Sequence, residues 1–275
     1  MNPVEEKIDG ADGMRLFLRS WRPETKPRGV VVICHGFNSH SGQYLWVADQ
    51  LVGAGLAVYA GDLRGRGQSD GERFYADAGQ YERDLGAFVA LAKSREPGLP
   101  VYLLGHSAGG VTSCIYTLDH QQELAGLICE SFAFEAPAPD FAIAALKGLA
   151  HVFPHAHVLA LKNEDFSRDP AVVKAMNADP LIAHETQPTR TVAALAHADE
   201  RLKREFPKIT LPVFILHGTA DKATKYQGSQ MFYDKAGSKD KTLKLYEGHY
   251  HDLLNDVGKE QVMADIIQWI EARLG

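Results

Sequence analysis

The chain has 275 residues, of which 45% are hydrophobic and 23% charged, and its formal net charge at pH 7 is -6. This length suits one α/β domain with an insertion, and the negative charge argues against a nucleic-acid-binding surface, which needs a basic face. No apolar run approaches the roughly 20 residues of a membrane span, and residues 1–7 lack the apolar core of a signal peptide. The three cysteines suit reduced, buried thiols better than a disulfide framework, so we expect a cytoplasmic protein.

Strands and helices alternate along the first half of the chain. Residues 14–21 alternate between apolar and polar side chains, which predicts a half-exposed strand, and the continuous apolar run 29–34 predicts a buried one. Further strands are predicted at residues 57–61, 101–104 and 126–130, and helices at residues 44–53, 81–93 and 111–118. This alternation predicts a mostly parallel sheet with helices on both faces.

The alternation stops between residues 132 and 206, where six prolines break the chain into short helices: Pro137, Pro139, Pro154, Pro170, Pro180 and Pro188. We interpret residues 132–206 as an inserted helical cap that divides the core into residues 1–131 and 207–275. Strands return at residues 212–217 and 242–246, and residues 257–274 predict a closing amphipathic helix.

Residues 101–110 join a predicted strand, the sequence G-x-S-x-G and a predicted helix. This order predicts a nucleophile elbow, in which Ser107 stands on a strained turn and its hydroxyl is clear of the sheet. Gly105 and Gly109 would leave room for the neighbouring strand and helix. A serine hydroxyl needs a base and a third group that orients the base, so the remaining candidates must follow later strands.

Asp221 follows the strand at residues 212–217 across a glycine turn, at the edge of the sheet where sites form, and we predict that it orients the base. Asp252 is a rival acid, but it lies beside the candidate base and cannot easily orient it. Two histidines, His249 and His251, follow the last strand, and spacing alone does not choose between them. We favour His251, because the apolar residues after it can anchor it, whereas His249 follows the flexible Gly248.

Attack on a carbonyl creates an oxyanion, which needs preorganised hydrogen-bond donors. The backbone N–H of Ala108 lies at the start of a predicted helix, where amides lack partners. The second donor is expected in the loop after residues 29–34, and we assign it to the N–H of Phe37. We predict that His35, in the same loop, is a structural imidazole bonded to the backbone.

Six segments together resemble the monoacylglycerol lipases and lysophospholipase-like serine hydrolases of the α/β-hydrolase superfamily. They are the elbow at 105–110, the oxyanion loop at 35–44 (H-G-x-x-x-H-S-x-x-Y), the loop at 62–69 (D-x-R-G-x-G-x-S), the cap segment at 176–181, and the acid and base loops at 217–221 and 250–253. Two positions depart from the family pattern: Ala108 and Met176 stand where the family often has Met and Tyr. The resemblance implies an α/β-hydrolase that acts on lipid-like carboxylic esters without a cofactor.

The resemblance also implies a small-molecule lipid ester as the substrate, with monoacyl esters the best candidates. A short-chain carboxylesterase or a lysophospholipase remains an alternative, as does an aminopeptidase or amidase, which would need an acidic cap group such as Glu135 or Asp140. A ligand-binding protein that kept the fold is a further alternative. The apolar segment 141–153 is expected to pack on the core, or else to line an acyl tunnel or touch a membrane or micelle transiently.

Two other features are predicted to be structural. The loop at residues 62–71 lacks dinucleotide-binding spacing, and we expect an ion pair between its Asp62 and Arg64. The cap histidines show no convergent arrangement, so we predict no metal site among His151, His155, His157, His184 and His197. The sequence leaves the oligomeric state open.

Overall fold

The computed structural model of the protein describes residues 2–134 and 140–274. Its strands are β1 (Val4–Asp9), β2 (Arg15–Trp21), β3 (Gly29–Cys34), β4 (Leu56–Gly61), β5 (Val101–His106), β6 (Gly126–Glu130), β7 (His157–Leu159), β8 (Gln187–Pro188), β9 (Val213–Gly218) and β10 (Lys241–Tyr246). Its α-helices are α1 (Leu45–Gly53), α2 (Ala78–Arg95), α3 (Ala108–His120), α4 (Asp140–Val152), α5 (Pro170–Ala178), α6 (Thr189–Glu205), α7 (Tyr226–Lys235) and α8 (Lys259–Glu271).

Eight strands form one sheet in the order β1-β2-β4-β3-β5-β6-β9-β10. Six neighbouring strands of this sheet pair in parallel, namely β4, β3, β5, β6, β9 and β10, whereas β1 and β2 are antiparallel to their neighbours. The predicted mostly parallel sheet is therefore confirmed. Because all the parallel strands end at the same edge, the residues that follow β3, β5, β9 and β10 are brought together there.

The continuous apolar run of β3 is explained by helices on both faces of the sheet. Val30 and Val32 pack in a cluster with residues of α2 and α3, whereas Val31 and Ile33 pack in a second cluster with residues of α1 and α8. A strand covered on both faces has no solvent-exposed side, so its side chains need not alternate in polarity.

In its described residues, the segment between β6 and β9 carries the three α-helices α4, α5 and α6 and the two short strands β7 and β8, which pair antiparallel in a sheet of their own. Its last helix, α6, contacts α3 and α2 of the core. The division of the chain at residues 131 and 206 stays a prediction. Of the helices in the described residues, none combines the length and the apolar character needed to cross a membrane.

Three expectations about local structure differ from what is observed. The sequence did not predict β1 or α7, and the strand expected to be half-exposed, β2, is buried from Leu16 to Trp21. The expected ion pair between Asp62 and Arg64 is wrong, because the guanidinium of Arg64 pairs with Asp84 and Asp12. The carboxylate of Asp62 instead accepts hydrogen bonds from the backbone N–H groups of Ser41 and Gln68 over 2.7 and 2.8 Å. The three cysteines are buried and free.

Candidate active site

Ser107 lies between β5 and α3 in a strained backbone conformation, with φ 54° and ψ -120°. A side chain at either flanking glycine of G-x-S-x-G would collide with backbone. A Cβ atom on Gly109 would lie 2.2 Å from the carbonyl oxygen of Cys34, and one on Gly105 would lie 2.7 Å from the carbonyl oxygen of Gly109. The two glycines therefore permit the close strand–turn–helix packing that holds the serine on its turn.

His251 and Asp221 form a hydrogen-bonded pair at the same edge of the sheet. The Nδ1 atom of His251 donates to Oδ2 of Asp221 over 2.7 Å, and both side chains are buried. With a proton on Nδ1, the other ring nitrogen, Nε2, carries a lone pair. Among the described residues this Nε2 atom has no hydrogen-bond partner. The imidazole can therefore accept a proton at Nε2 while Asp221 holds its orientation.

The carboxylate of Asp221 has several other donors. His217 Nε2 lies 3.0 Å from Oδ2, and the hydroxyl of Thr224 lies 2.9 Å from the same oxygen. The backbone N–H groups of Ala223 and Thr224 donate to Oδ1 over 2.8 and 2.9 Å. Burial by itself raises the pKa of Asp221, but the charge of His251 and the hydrogen bonds from His217 and His251 outweigh it and hold that pKa well below its usual range. Asp221 therefore stays ionised near neutral pH.

The two rival residues of the last loop lie outside this arrangement. The Nδ1 atom of His249 is 4.0 Å from Oδ2 of Asp256 and makes no hydrogen bond among the described residues. Asp252 accepts a hydrogen bond from the side-chain amide of Asn255 over 3.0 Å. The hydrogen-bonded pair is therefore formed by His251 and Asp221, with His251 in place of the rival base His249 and Asp221 in place of the rival acid Asp252.

The loop after β3 approaches Ser107 closely. A Cβ atom on Gly36 would lie 2.8 Å from the Cβ atom of Ser107. Phe37, Ala108 and Ser107 line one cavity, and in the described part of the chain neither the Phe37 nor the Ala108 backbone N–H donates a hydrogen bond. These two amides are therefore free to bind an anion next to the serine hydroxyl.

His35 has a structural role, as its position in the loop predicts. Its Nδ1 atom donates to the carbonyl oxygen of Gly36 over 2.8 Å, and its Nε2 atom accepts the backbone N–H of Leu63 over 3.0 Å. Burial lowers the pKa of His35 to about 4, so the ring is neutral near pH 7. Both of its nitrogens are occupied, and the ring fixes the backbone of the loop.

The cavity above Ser107 has a volume of about 530 Å³. Side chains from the segment between β6 and β9 supply most of its apolar lining: Ile143, Leu146, Val158, Leu159, Leu161, Val192 and Leu195. Four charged residues also line it: Lys162, Asp165, Asp199 and Lys222. A largely apolar cavity with a few polar groups suits a ligand that has an alkyl chain and a small polar part.

A buried polar cluster behind His251 was missed by the sequence analysis. Potential ligand atoms of His106, Glu130 and Asp252 lie within 4.8 Å of one another. Burial and the nearby Asp252 raise the pKa of Glu130 well above its usual value, which favours a protonated carboxyl group over a bound cation. Oε1 of Glu130 also accepts the N–H of Leu254 over 3.2 Å, and so ties the loop of His251 to the end of β6. The sequence feature that could have indicated this cluster is Glu130, a charged residue at the end of the apolar strand β6.

Three of the five histidines considered for a metal site each have their own protein partner: His151 in α4, His155 after it and His157 in β7. His151 Nδ1 contacts the carbonyl oxygen of Lys147 at 2.8 Å, and His155 Nδ1 contacts Glu72 at 2.7 Å. His157 contacts Thr186. Glu135 and the side chain of Asp140, which were named as possible ammonium-binding groups, lie outside the described residues.

A family model described as serine aminopeptidase, S33, matches residues 25–258. The monoacylglycerol lipase of Mycolicibacterium smegmatis is 34% identical over 273 residues, which cover 98% of each chain. The monoglyceride lipase of Homo sapiens is 35% identical over 269 residues, covering 96% of this chain and 89% of the relative. The crystal structure of a Paleococcus ferrophilus monoacylglycerol lipase superposes with a TM-score of 0.83 and 31% identity, covering 93% of this chain and 99% of that one.

Proposed function

This chain belongs to the Hydrolase_4 family of α/β-hydrolases, and on that premise we propose that it hydrolyses monoacylglycerols and similar monoacyl lipid esters through an acyl-enzyme on Ser107. The observation that carries the proposal is the buried pair of His251 and Asp221, which lies at the same edge of the sheet as a strained serine that lines a largely apolar cavity. Several high-coverage relatives are named monoacylglycerol or monoglyceride lipases, which supports the substrate class.

In the proposed reaction, His251 Nε2 takes the proton of the Ser107 hydroxyl as its oxygen attacks the ester carbonyl. The carbonyl oxygen becomes an oxyanion, held by the N–H groups of Phe37 and Ala108. Asp221 keeps the imidazole in the required tautomer and stabilises its positive charge. His251 then gives the proton to the leaving alcohol oxygen, activates a water molecule and releases the fatty acid.

We propose that residues 132–206 form a cap over the site and set the chain-length preference. The apolar lining that this segment contributes suits one acyl chain, and a covered site admits one chain more easily than three. We also propose that the cap touches a membrane or micelle surface, because the apolar side chains of Val152 and Phe153 at the end of α4 are exposed, by 68% and 58%. The variant pair Val152→Ser and Phe153→Ser should weaken co-sedimentation with lipid vesicles while leaving hydrolysis of a water-soluble ester unchanged.

The decisive experiment combines a covalent probe with a substrate panel. A fluorophosphonate should label the wild-type chain and the control Ser94→Ala, which lacks an exposed hydroxyl on α2, but not Ser107→Ala. Labelling that persists in Ser107→Ala would overturn the mechanism. Rates would then be compared for monoacylglycerols of increasing chain length, nitrophenyl esters and aminoacyl arylamides. Faster cleavage of the arylamides would replace the proposed activity with the aminopeptidase activity that the family description names.

A further inference from the structure

Asn38, the residue after Phe37, is held by hydrogen bonds to the cap segment in a left-handed backbone conformation. Its φ is 50°, in the left-handed region, which is uncommon for residues other than glycine. The backbone N–H of Asn38 donates to Oε1 of Glu185 over 2.9 Å. Its side-chain amide donates to the carbonyl oxygen of Leu161 and to Asn163 at 3.2 and 2.9 Å. Three residues of the cap segment therefore fix this one residue of the oxyanion loop.

Arg66 connects the same glutamate to the neighbouring aromatic ring. Its guanidinium lies 4.4 Å from the centroid of the Phe37 ring and forms an ion pair with Glu185. A second guanidinium nitrogen donates to the side-chain oxygen of Gln187 over 2.7 Å, and its Nε donates to the hydroxyl of Tyr81 over 3.0 Å. Arg66 is 1% exposed and Glu185 is 5% exposed, so this contact between the core and the cap is shielded from solvent.

The two consecutive amides of the loop therefore have different roles. The N–H of Asn38 is occupied by Glu185, whereas the N–H of Phe37 is unoccupied in the described part of the chain and lies at the cavity of Ser107. The Phe37 N–H belongs to the peptide between Gly36 and Phe37, so a displacement of Phe37 would misdirect this donor. The carboxylate of Glu185 opposes that displacement, because it binds the amide of the next residue, Asn38, and the guanidinium stacked on the Phe37 ring at the same time.

We propose that Glu185 is a positioning residue through which the cap sets the geometry of the oxyanion hole. The inference rests on the proposed ester hydrolysis at Ser107 and adds that stabilisation of the transition state depends on a residue of the cap that touches neither substrate nor nucleophile. Loss of Glu185 should therefore weaken binding of the oxyanion and leave binding of the uncharged ester unchanged, so the effect falls on kcat rather than on KM.

The test compares Glu185→Ala and Glu185→Gln with the control Arg190→Gln. Arg190 also joins the cap segment to the core, through a 3.0 Å ion pair with Asp77, but it is exposed, and within the described ranges its side chain has no hydrogen bond or ion pair with residues 35–44. Turnover of a water-soluble nitrophenyl ester gives kcat and KM. Inhibition by an alkyl trifluoromethyl ketone, which forms a tetrahedral oxyanion adduct with the serine, reports the oxyanion hole directly.

We expect Glu185→Ala to lower kcat by roughly 10- to 100-fold, a decrease no larger than the one caused by removing one oxyanion donor. KM should stay within about twofold, and the inhibition constant of the ketone should rise by the same factor as kcat falls. Glu185→Gln keeps an acceptor for the Asn38 amide but loses the charge facing Arg66, so its loss should be smaller, roughly fivefold. Arg190→Gln should remain within about twofold of wild type.

Fluorophosphonate titration counts the folded sites, so each rate is referred to active enzyme. If Glu185→Ala fails to fold, Glu185→Gln decides the question by the same criteria. A loss confined to KM, an unchanged ketone constant, or an equal loss in Arg190→Gln overturns the inference. The proposed function fails separately, if the wild-type chain itself shows no ester hydrolysis.

Discussion

Replacing Asp221 by asparagine tests the centre of the site, because this carboxylate accepts hydrogen bonds on both oxygens. Oδ2 faces His251, His217 and the hydroxyl of Thr224, whereas Oδ1 faces two backbone N–H groups. An asparagine offers one oxygen and one NH2 group, so one of these two sets must face a donor instead of an acceptor. The outcome depends on which set can adapt.

The two sets differ in this respect. The backbone N–H groups cannot become acceptors, and leaving two buried donors unsatisfied costs about 2–6 kcal/mol. Imidazole and hydroxyl groups can switch from donor to acceptor, so the new NH2 group should face them. His251 would then accept at Nδ1 and carry its proton on Nε2, where it cannot take the proton of Ser107. Holding the wrong tautomer lowers kcat by about 10⁴ in a serine protease, equivalent to about 5.4 kcal/mol.

The assay measures kcat on a nitrophenyl ester and unfolding in urea for Asp221→Asn, with Asp252→Asn as the matched control. Asp252 is also buried next to His251, but burial raises its pKa, so an amide resembles its protonated form. We expect Asp221→Asn to lose about four decades of kcat with a loss of stability of only about 1–2 kcal/mol, and the control to keep its rate within about tenfold. An Asp221→Asn variant that retains a tenth of the wild-type rate, or a control that loses as much, refutes this reasoning.

Three further predictions concern the base, the cap and the buried cluster. His251→Ala should reduce turnover by several decades, as Ser107→Ala does, whereas His249→Ala should keep most of the rate; the reverse order would make His249 the base. Monoolein should be cleaved faster than triolein, and equal rates of fatty-acid release would contradict the proposed role of the cap. Because the pKa of Glu130 is raised in the folded chain, that chain keeps a proton which the unfolded chain releases above about pH 4.5. The free energy of unfolding of the wild-type chain should therefore fall as the pH rises from about 4.5 towards the folded pKa, by on the order of 1 kcal/mol per pH unit. Glu130→Gln should flatten that slope in urea denaturation at pH 5, 7 and 8.5, and an unchanged slope would show that another group causes it.

The parts of the fold that were predicted from sequence are those whose physical cause is local. The apolar run of β3 and the glycines beside Ser107 each carry their reason within a few residues. Helix α7 was missed because its polar sequence includes Gly228, which reads as a helix breaker. A Cβ atom at that position would lie 2.6 Å from the carbonyl oxygen of Phe134, so the glycine serves close packing rather than a turn.

The candidate site divides in the same way. The chain order of Ser107, Asp221 and His251 and their places after strands could be predicted, because parallel strands end at one edge. The contact of Asn38 with Glu185 could not, since 147 positions separate the two residues and nothing near either one predicts the other. The prediction of an ion pair between Asp62 and Arg64 was wrong although the two residues are close in sequence, because each side chain binds different partners.

The order of the strands has a consequence for how the chain folds. From β3 onward each new strand of the main sheet adds beside the previous one, apart from β5, which adds beside β3. The longest of these connections runs from β6 to β9 and carries α4, α5 and α6. Closing a loop roughly eight times longer than a ten-residue connection costs about 1.8 kcal/mol more in chain entropy. Pairing of β9 with β6 is therefore the slow, non-local step, and the residues that follow β9 and β10 reach the serine only after it. Recovery of ester hydrolysis during refolding should consequently lag behind the recovery of helical circular dichroism, so the return of activity measures when the sheet is complete.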